Sequence, residues 1–227
     1  MYIPPAFKVD CSTSLEFATR HGFGVVCAFD GKKPIASPLP FDIDYGSDGT
    51  PRLAFHVARG NPLAACADGQ ASWLLTVNGP HAYVSPHWYA SADQVPTWLY
   101  QTVHLTGPAR TMSSEELVEN LERLSAKFEA WLAPKPAWSM AEISTGRREM
   151  LLRAITGIVM TVDTVEGSFK LNQAKSDADN ESVAHALAGL GHYDGPQLAR
   201  TMRATRTQAL AGQPAQQNAA VMPGETM

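Results

Sequence analysis

The chain has 227 residues, 44% hydrophobic and 18% charged, with 18 Lys and Arg against 22 Asp and Glu for a formal net charge of −4. That is enough apolar material to fill a core, which excludes a disordered chain, and the acidic balance excludes a whole-surface attraction to nucleic acid. Three cysteines far apart in sequence, Cys11, Cys27 and Cys66, with no C-x-x-C pair, exclude a disulfide framework and a zinc ribbon.

The start, "MYIPPAFKVD", lacks the basic and apolar regions of an export signal. No stretch reaches the roughly 20 apolar residues that cross a bilayer. A soluble, cytoplasmic protein is the expectation. "DCSTSLEFATRH" predicts a short helix capped by Ser12 or Thr13, with Leu15, Phe17 and Ala18 on its apolar side and an end near Gly22. "FGVVCAF" (23–29) predicts a buried strand with Cys27 as a packed thiol, and "DGKK" a hairpin turn. "PIASPLPFDID" is the return strand. Pro38 and Pro40 cannot donate to a ladder, so they set it at an edge or break it. "RLAFHVA" (52–58) predicts a third strand, and "GNPLAACADG" a short helix opening at Asn61-Pro62.

"ASWLLTVNG" and "LYQTVHLTGPAR" are rich in β-branched and aromatic residues and predict two more strands. The clearest helix covers 113–132, with a capping box from Ser113 and Glu116 and a stripe at Leu117, Leu121, Leu124 and Phe128. A helical turn then runs into one strand from Ile155 to Val165. Two late helices follow in "DNESVAHALAGLG" and "DGPQLARTMRATRTQAL", and 211–227 reads as a disordered tail. The implied fold class is mainly β with α: a small antiparallel barrel with peripheral helices. The expected domains are a barrel over 1–175 carrying the inserted helix 113–132, a helical appendage over 176–210, and the tail.

The segment "NGPHAYVSPHWYASADQVPTWLY" concentrates flat, hydrogen-bonding side chains between prolines. Trp88, Tyr89, Trp98 and Tyr100 either cap a barrel end or line a site for a planar, heteroatom-rich ligand. In "HVARGNP", Arg59 follows the strand and suits an anion, its ordinary role being a surface salt bridge. His56 is either a hydrogen-bonded strand histidine or an iron ligand. Lys170, Gln173 and Lys175 at the end of the last strand suit a phosphate or a ring edge, or are simply an exposed exit. His81, His87 and His104 do not have zinc-site spacing. Nucleophile-elbow, Walker and Rossmann glycine patterns are absent.

Taken in order, "MYIPPAF", "KKPIASPLP", "HVARGNP", "GPHAYVSPHWY", "VPTWLY", "TVH", "ITGIVM" and "EGSFKLNQ" resemble the PaiB family, described as FMN-binding negative transcriptional regulators, over about residues 1–190. The resemblance implies an antiparallel split β-barrel of the flavin-reductase-like kind, usually a homodimer with cofactor sites near the subunit interface. It implies FMN as cofactor, with Arg59 or Lys170 at the phosphate. His56, Ser85, Trp88, Tyr89, Thr97, Trp98, Tyr100 and Gln173 are the further cofactor-site residues. A related branch, the piperazate synthases, is similar in fold but carries haem b. The motif there makes His56 the iron ligand, with Arg59 matching and Phe55 replacing a glycine, and the substrate is an N-hydroxylated amine. The chain departs from the common pattern at Pro38, at Leu99, and at Leu63, Ala64 and Ala65, where a histidine, an asparagine and a tryptophan are usual. A third reading is a cofactor-free regulator binding DNA or protein through Arg200, Arg203 and Arg206, which the charge balance does not favour.

Overall fold

The computed structural model describes residues 1–191 and 194–211, with side chains followed to Thr207. Of the expected tail, 212–227 lies outside the described residues. The chain divides into two compact units, one made of 1–79 with 100–170 and the other of 80–99 with 171 onward. The antiparallel split-barrel fold with peripheral helices is the fold observed.

In the first unit, β1 (Lys8–Val9) precedes α1 (Cys11–His21). The helix cap is Asp10, not Ser12 or Thr13. Its carboxylate accepts from the Thr13 N–H at 2.9 Å, which leaves both hydroxyl residues inside the first turn. Gly22 ends the helix in the left-handed conformation at φ 61°, where a side chain is disfavoured.

β2 (Phe23–Phe29) turns through Asp30–Lys33 into β3 (Pro34–Pro40), and the two pair from Phe23↔Pro40 to Phe29↔Pro34. The apolar run of β2 is not buried throughout. It alternates, with Val26 inside and Phe23 and Phe29 more than half exposed. β3 lies at a sheet edge, where missing proline donors are tolerated. The expected single return strand is therefore two strands, because β4 (Asp42–Tyr45) leaves β3 at Phe41 and pairs with β5 (Pro51–Ala58).

α2 (Pro62–Cys66) is capped by Asn61. The sheet continues with β6 (Asp68–Val84) and β7 (Thr97–Thr111), and α3 (Ser114–Ala130) carries both hydrogen bonds of the capping box from Ser113 and Glu116. α4 (Thr145–Arg153) precedes β8 (Ile155–Thr161) and β9 (Thr164–Lys170). The expected strand from 155 to 165 is thus broken at Val162–Asp163. There the backbone bonds of Val162 and Asp163 go to Pro51 and Thr106 instead of continuing one ladder.

The strand order is β3-β2-β6-β7-β8-β5-β4, with β9 on β7 and β1 on β9. Alternate residues of these strands fill the core, among them Leu53, Phe55 and Val57 of β5, Trp73, Leu75 and Val77 of β6, and Ile158 and Met160 of β8. Phe17 of α1 and Leu63 of α2 join them.

In the second unit, α5 (Asp177–Ala188) packs on α6 (Gly195–Ala211). Arg203 is paired with Glu181 at 2.6 Å, and Arg206 is paired with Asp177. Asp179, buried in the first turn of α5, accepts the Ser91 N–H at 2.8 Å and the hydroxyls of Ser91 and Ser176 at 2.9 Å. This carboxylate ties the 85–96 loop to the helix. The Ser91 N–H is the main reason its pKa is held below the usual carboxylate value.

Two predictions follow from packing and charge. An added Cβ at Gly107 collides with the Thr161 carbonyl, while one at Gly146 meets open space. Gly107→Ala is expected to lose about 1–3 kcal/mol or more, and Gly146→Ala to gain about 0.5 kcal/mol, by denaturant unfolding. Because the folded pKa of Asp179 is depressed, its stabilisation is present above the unfolded value and is lost as pH falls through the folded one. Asp179→Asn should lower the melting temperature at neutral pH, with the gap closing below about pH 4. A gap independent of pH would contradict the assignment.

Candidate functional site

The ten residues singled out from sequence divide between the units. Four are in the first: His56, Arg59, Tyr100 and Lys170. His56 sits on β5 between Phe55 and Val57. Those two point into the core, so the strand's period of two turns His56 outward. It is registered against Gly157 of β8. On that side the sheet is covered: a Cβ at Gly157 would lie 2.8 Å from Met112 Sδ and 3.0 Å from Leu117 Cδ1. The ring is half-buried, and its Nδ1 is buried without a hydrogen-bond partner. Burial alone pushes its pKa down, so the imidazole is neutral at pH 7.

Arg59 lies just past the end of β5. Its N–H bonds the Ala154 carbonyl at 2.8 Å, its Nε the Arg153 carbonyl at 2.7 Å and its Nη2 the Ile155 carbonyl at 3.4 Å. The guanidinium is exposed, and among the described residues it has no carboxylate partner. The ordinary salt bridge expected of such an arginine is therefore not formed among the described residues. Beside it, a Cβ added at Gly60 would meet nothing within 4 Å.

Tyr100 and Lys170 face each other as register partners on β7 and β9, and Lys170 Nζ stands 5.8 Å above the Phe7 ring. They are not brought to His56 and Arg59. Thr111 of β7 pairs with Ile158, next to Gly157, while Tyr100 lies eleven residues back along the same strand. At about 3.3 Å per residue that is roughly 30 Å or more along the strand.

The other six belong to the second unit. Ser85 caps the short 3₁₀ turn Pro86–Trp88, its Oγ accepting from the His87 N–H at 3.3 Å, and Trp88 and Thr97 are half-buried. Tyr89 is buried. Its hydroxyl donates to Asn172 Oδ1 at 3.2 Å, and Lys175 Nζ lies 5.2 Å over its ring while donating to Gln94 at 2.6 Å. Burial raises the Tyr89 pKa, which keeps the hydroxyl protonated as a donor. Gln173 accepts from the Leu171 N–H at 2.7 Å. Tyr89 and Gln173 thus make bonds within the unit.

Trp98 differs. It is 48% exposed, its ring is stacked with His81 at 5.8 Å between centroids, its Nε1 donates to His81 Nδ1 at 3.3 Å, and Tyr83 meets it edge-on at 6.2 Å. His81 and Tyr83 were not among the ten. Their i, i+2 spacing in "HAY" places them on one face of β6, and that was the available signal. Of the aromatic residues proposed here, Trp98 is the one in this unit that presents a largely open ring.

Residues 1–164 match the family model described as "Putative FMN-binding domain". The chain is 32% identical over 203 residues to the protease synthase and sporulation protein PAI 2 of Bacillus subtilis, covering 89% of this chain and 96% of that one. Among solved structures it is similar to a FAD- and haem-binding protein of Mycobacterium smegmatis, at TM-score 0.52 and 16% identity over 78% of each chain. It is also similar to a conserved hypothetical protein of Mycobacterium tuberculosis, at TM-score 0.50 and 8% identity, covering 78% of this chain and 94% of that one. At these identities the two structures speak to the fold alone. The length of the family match and the identity to the Bacillus relative settle the family: the chain belongs to the PaiB family of FMN-binding-domain proteins.

Proposed function

We propose that this protein binds FMN, with Arg59 as the phosphate anchor. The observation that carries this is the state of Arg59: an exposed guanidinium, oriented by backbone carbonyls and without a carboxylate among the described residues. Two of its five N–H groups are used, so a face of the planar fork is left for an anion. Orientation by carbonyls means that little side-chain freedom is lost when the phosphate arrives. The open space at Gly60 lets a phosphate approach the backbone. Family membership supports the same cofactor. Bound flavin would supply electron transfer, while the chain supplies the charge, the hydrogen bonds and the stacking surface.

Within one chain, Tyr100 and Lys170 lie at the far end of β7 from Arg59. A homodimer, in which a second copy brings its own Lys170 end to the Arg59 end of the first, is part of the proposal. A direct DNA role for α6 is not favoured, because Arg203 and Arg206 already hold Glu181 and Asp177.

A haem reading rests on His56. The ring is half-buried beneath α3, and its inward nitrogen lacks the fixed acceptor that orients an iron-bound imidazole. The residues present fit the flavin better.

The test is a titration of the full chain with FMN, followed by flavin fluorescence and absorbance. Saturable binding is expected. Loss of the guanidinium in Arg59→Ala should weaken it about 10–100-fold, the worth of one or two charge-assisted hydrogen bonds, and Arg59→Lys by less. Unchanged affinity in Arg59→Ala would remove the anchor. A protein that purifies with an intense Soret band and ignores FMN would replace the flavin reading with haem.

A further inference from the structure

The outer face of β5 carries buried polar atoms that phosphate binding leaves unexplained. Three registered rows cross that face: His56 with Gly157, Ala54 with Val159 and Asp42, and Arg52 with Thr161 and Asp44. α3 lies over them. Its Leu117 meets the Gly157 position on β8, while Arg123 and Lys127 reach Asp44 and Asp42 on β4, at 2.9 and 3.2 Å. β5 runs between β8 and β4, so the helix crosses it between Leu117 and Arg123. The buried residue in that span is Asn120.

Asn120 has no exposed surface, and neither its Nδ2 nor its Oδ1 has a hydrogen-bond partner. On the strand below, the outward residues are Arg52, Ala54 and His56. Arg52 is held by Asp44 and Ala54 has no polar side-chain atom. His56 remains, and its Nδ1 is the buried, unpartnered atom of the ring. Two polar groups of complementary capacity are thus buried and unpaired, one on the strand and one on the helix that crosses it. Leaving both unpaired costs more than joining them.

We propose that Asn120 is a positioning residue for His56: its Nδ2–H donates to His56 Nδ1, so that the ring carries its proton on Nε2 and presents an N–H outward. The bond is not formed in the present rotamers, so the Asn120 side chain must rotate toward the ring to make it. The direction follows from counting donors. If Nδ2 donates, one N–H of the amide stays unpaired. If Oδ1 instead accepts from Nδ1–H, two do, and buried N–H groups are the ones least tolerated without partners. Nε2 is not among the buried unpartnered atoms, and His56 makes no other bond among the described residues, so Nε2 meets solvent. A ligand recognised there offers an oxygen acceptor. Phosphate and ring carbonyls have that chemistry, whereas an iron ion needs the opposite tautomer. Only this naming of the ligand rests on the flavin reading; the Asn120–His56 pairing stands without it.

The experiment is ¹⁵N NMR of the full chain labelled at histidine, at a pH where the ring is neutral, with the His56 signal assigned by its loss in His56→Gln. The wild type should show the Nε2–H tautomer. Asn120→Leu should move the ring shifts towards a mixture and lower the melting temperature by about 2–6 °C, since it strands Nδ1. Asn120→Asp, which only accepts when ionised, should reverse the tautomer. A wild-type ring protonated on Nδ1 overturns the proposal. So does Asn120→Leu with unchanged shifts and a raised melting temperature, the result expected if the amide has no partner to lose. Should Asn120→Leu fail to fold, the wild-type spectrum and Asn120→Asp decide. FMN titration of the same samples separates this outcome from failure of the flavin reading, because tautomer control holds in a protein that binds no flavin.

Discussion

The pairing of β5 with β8 is the constraint on which the rest depends. Seven registered pairs, from Arg52↔Thr161 to Ala58↔Ile155, fix which residues face which way. A strand has a period of two, so a slip by one residue would exchange its faces. In the observed register Leu53, Phe55 and Val57 enter the core, each stabilising the fold by about 1.5–3 kcal/mol through burial. The same register sends Arg52, Ala54 and His56 to the outer face, which must then be covered. α3 covers it, with Leu117 over Gly157 and the ion pairs of Arg123 and Lys127 at its far end.

The end of that pairing positions Arg59, the proposed anion anchor. β8 begins where α4 ends, so the carbonyls of Arg153 and Ile155 stand beside the residue that follows β5. Arg59 donates to both. An arginine satisfied by neutral carbonyls keeps its full charge available to a ligand, which one satisfied by a carboxylate does not. Elsewhere in this unit Arg52 is paired with Asp44 and Arg110 with Glu116. Glu116 is pulled down to about 2, chiefly by hydrogen bonding to Arg110, and so belongs to the scaffold. In the second unit, Asp179, Tyr89 and Lys175 use their polar atoms to hold the 85–96 loop to α5 and to the turn that precedes it.

Much of this was legible in the residues. The capping box, the proline edge strand and the alternation of "RLAFHVA" have local causes, and they appear where those causes put them. Local signals failed where a distant partner decided. The strand expected through 155–165 breaks because Pro51 and Thr106 capture the backbone at Val162 and Asp163. Tyr89 has a ligand-site residue's chemistry, yet Asn172 and Lys175, far along the chain, use it. Arg59 stood out as an anion binder by type. That it lacks a carboxylate among the described residues is a tertiary fact that no spacing encodes. Asn120 gave no signal, since a polar residue in a helix stripe is common and only its burial singles it out.

The proposed role of Arg59 is to recognise the phosphate of the ligand. Comparing FMN with riboflavin, which has the same ring and ribityl chain but no phosphate, tests it most directly. If the account is right, calorimetric titration of the full chain gives FMN an affinity at least about tenfold higher than riboflavin. Equal affinities for the two would contradict it.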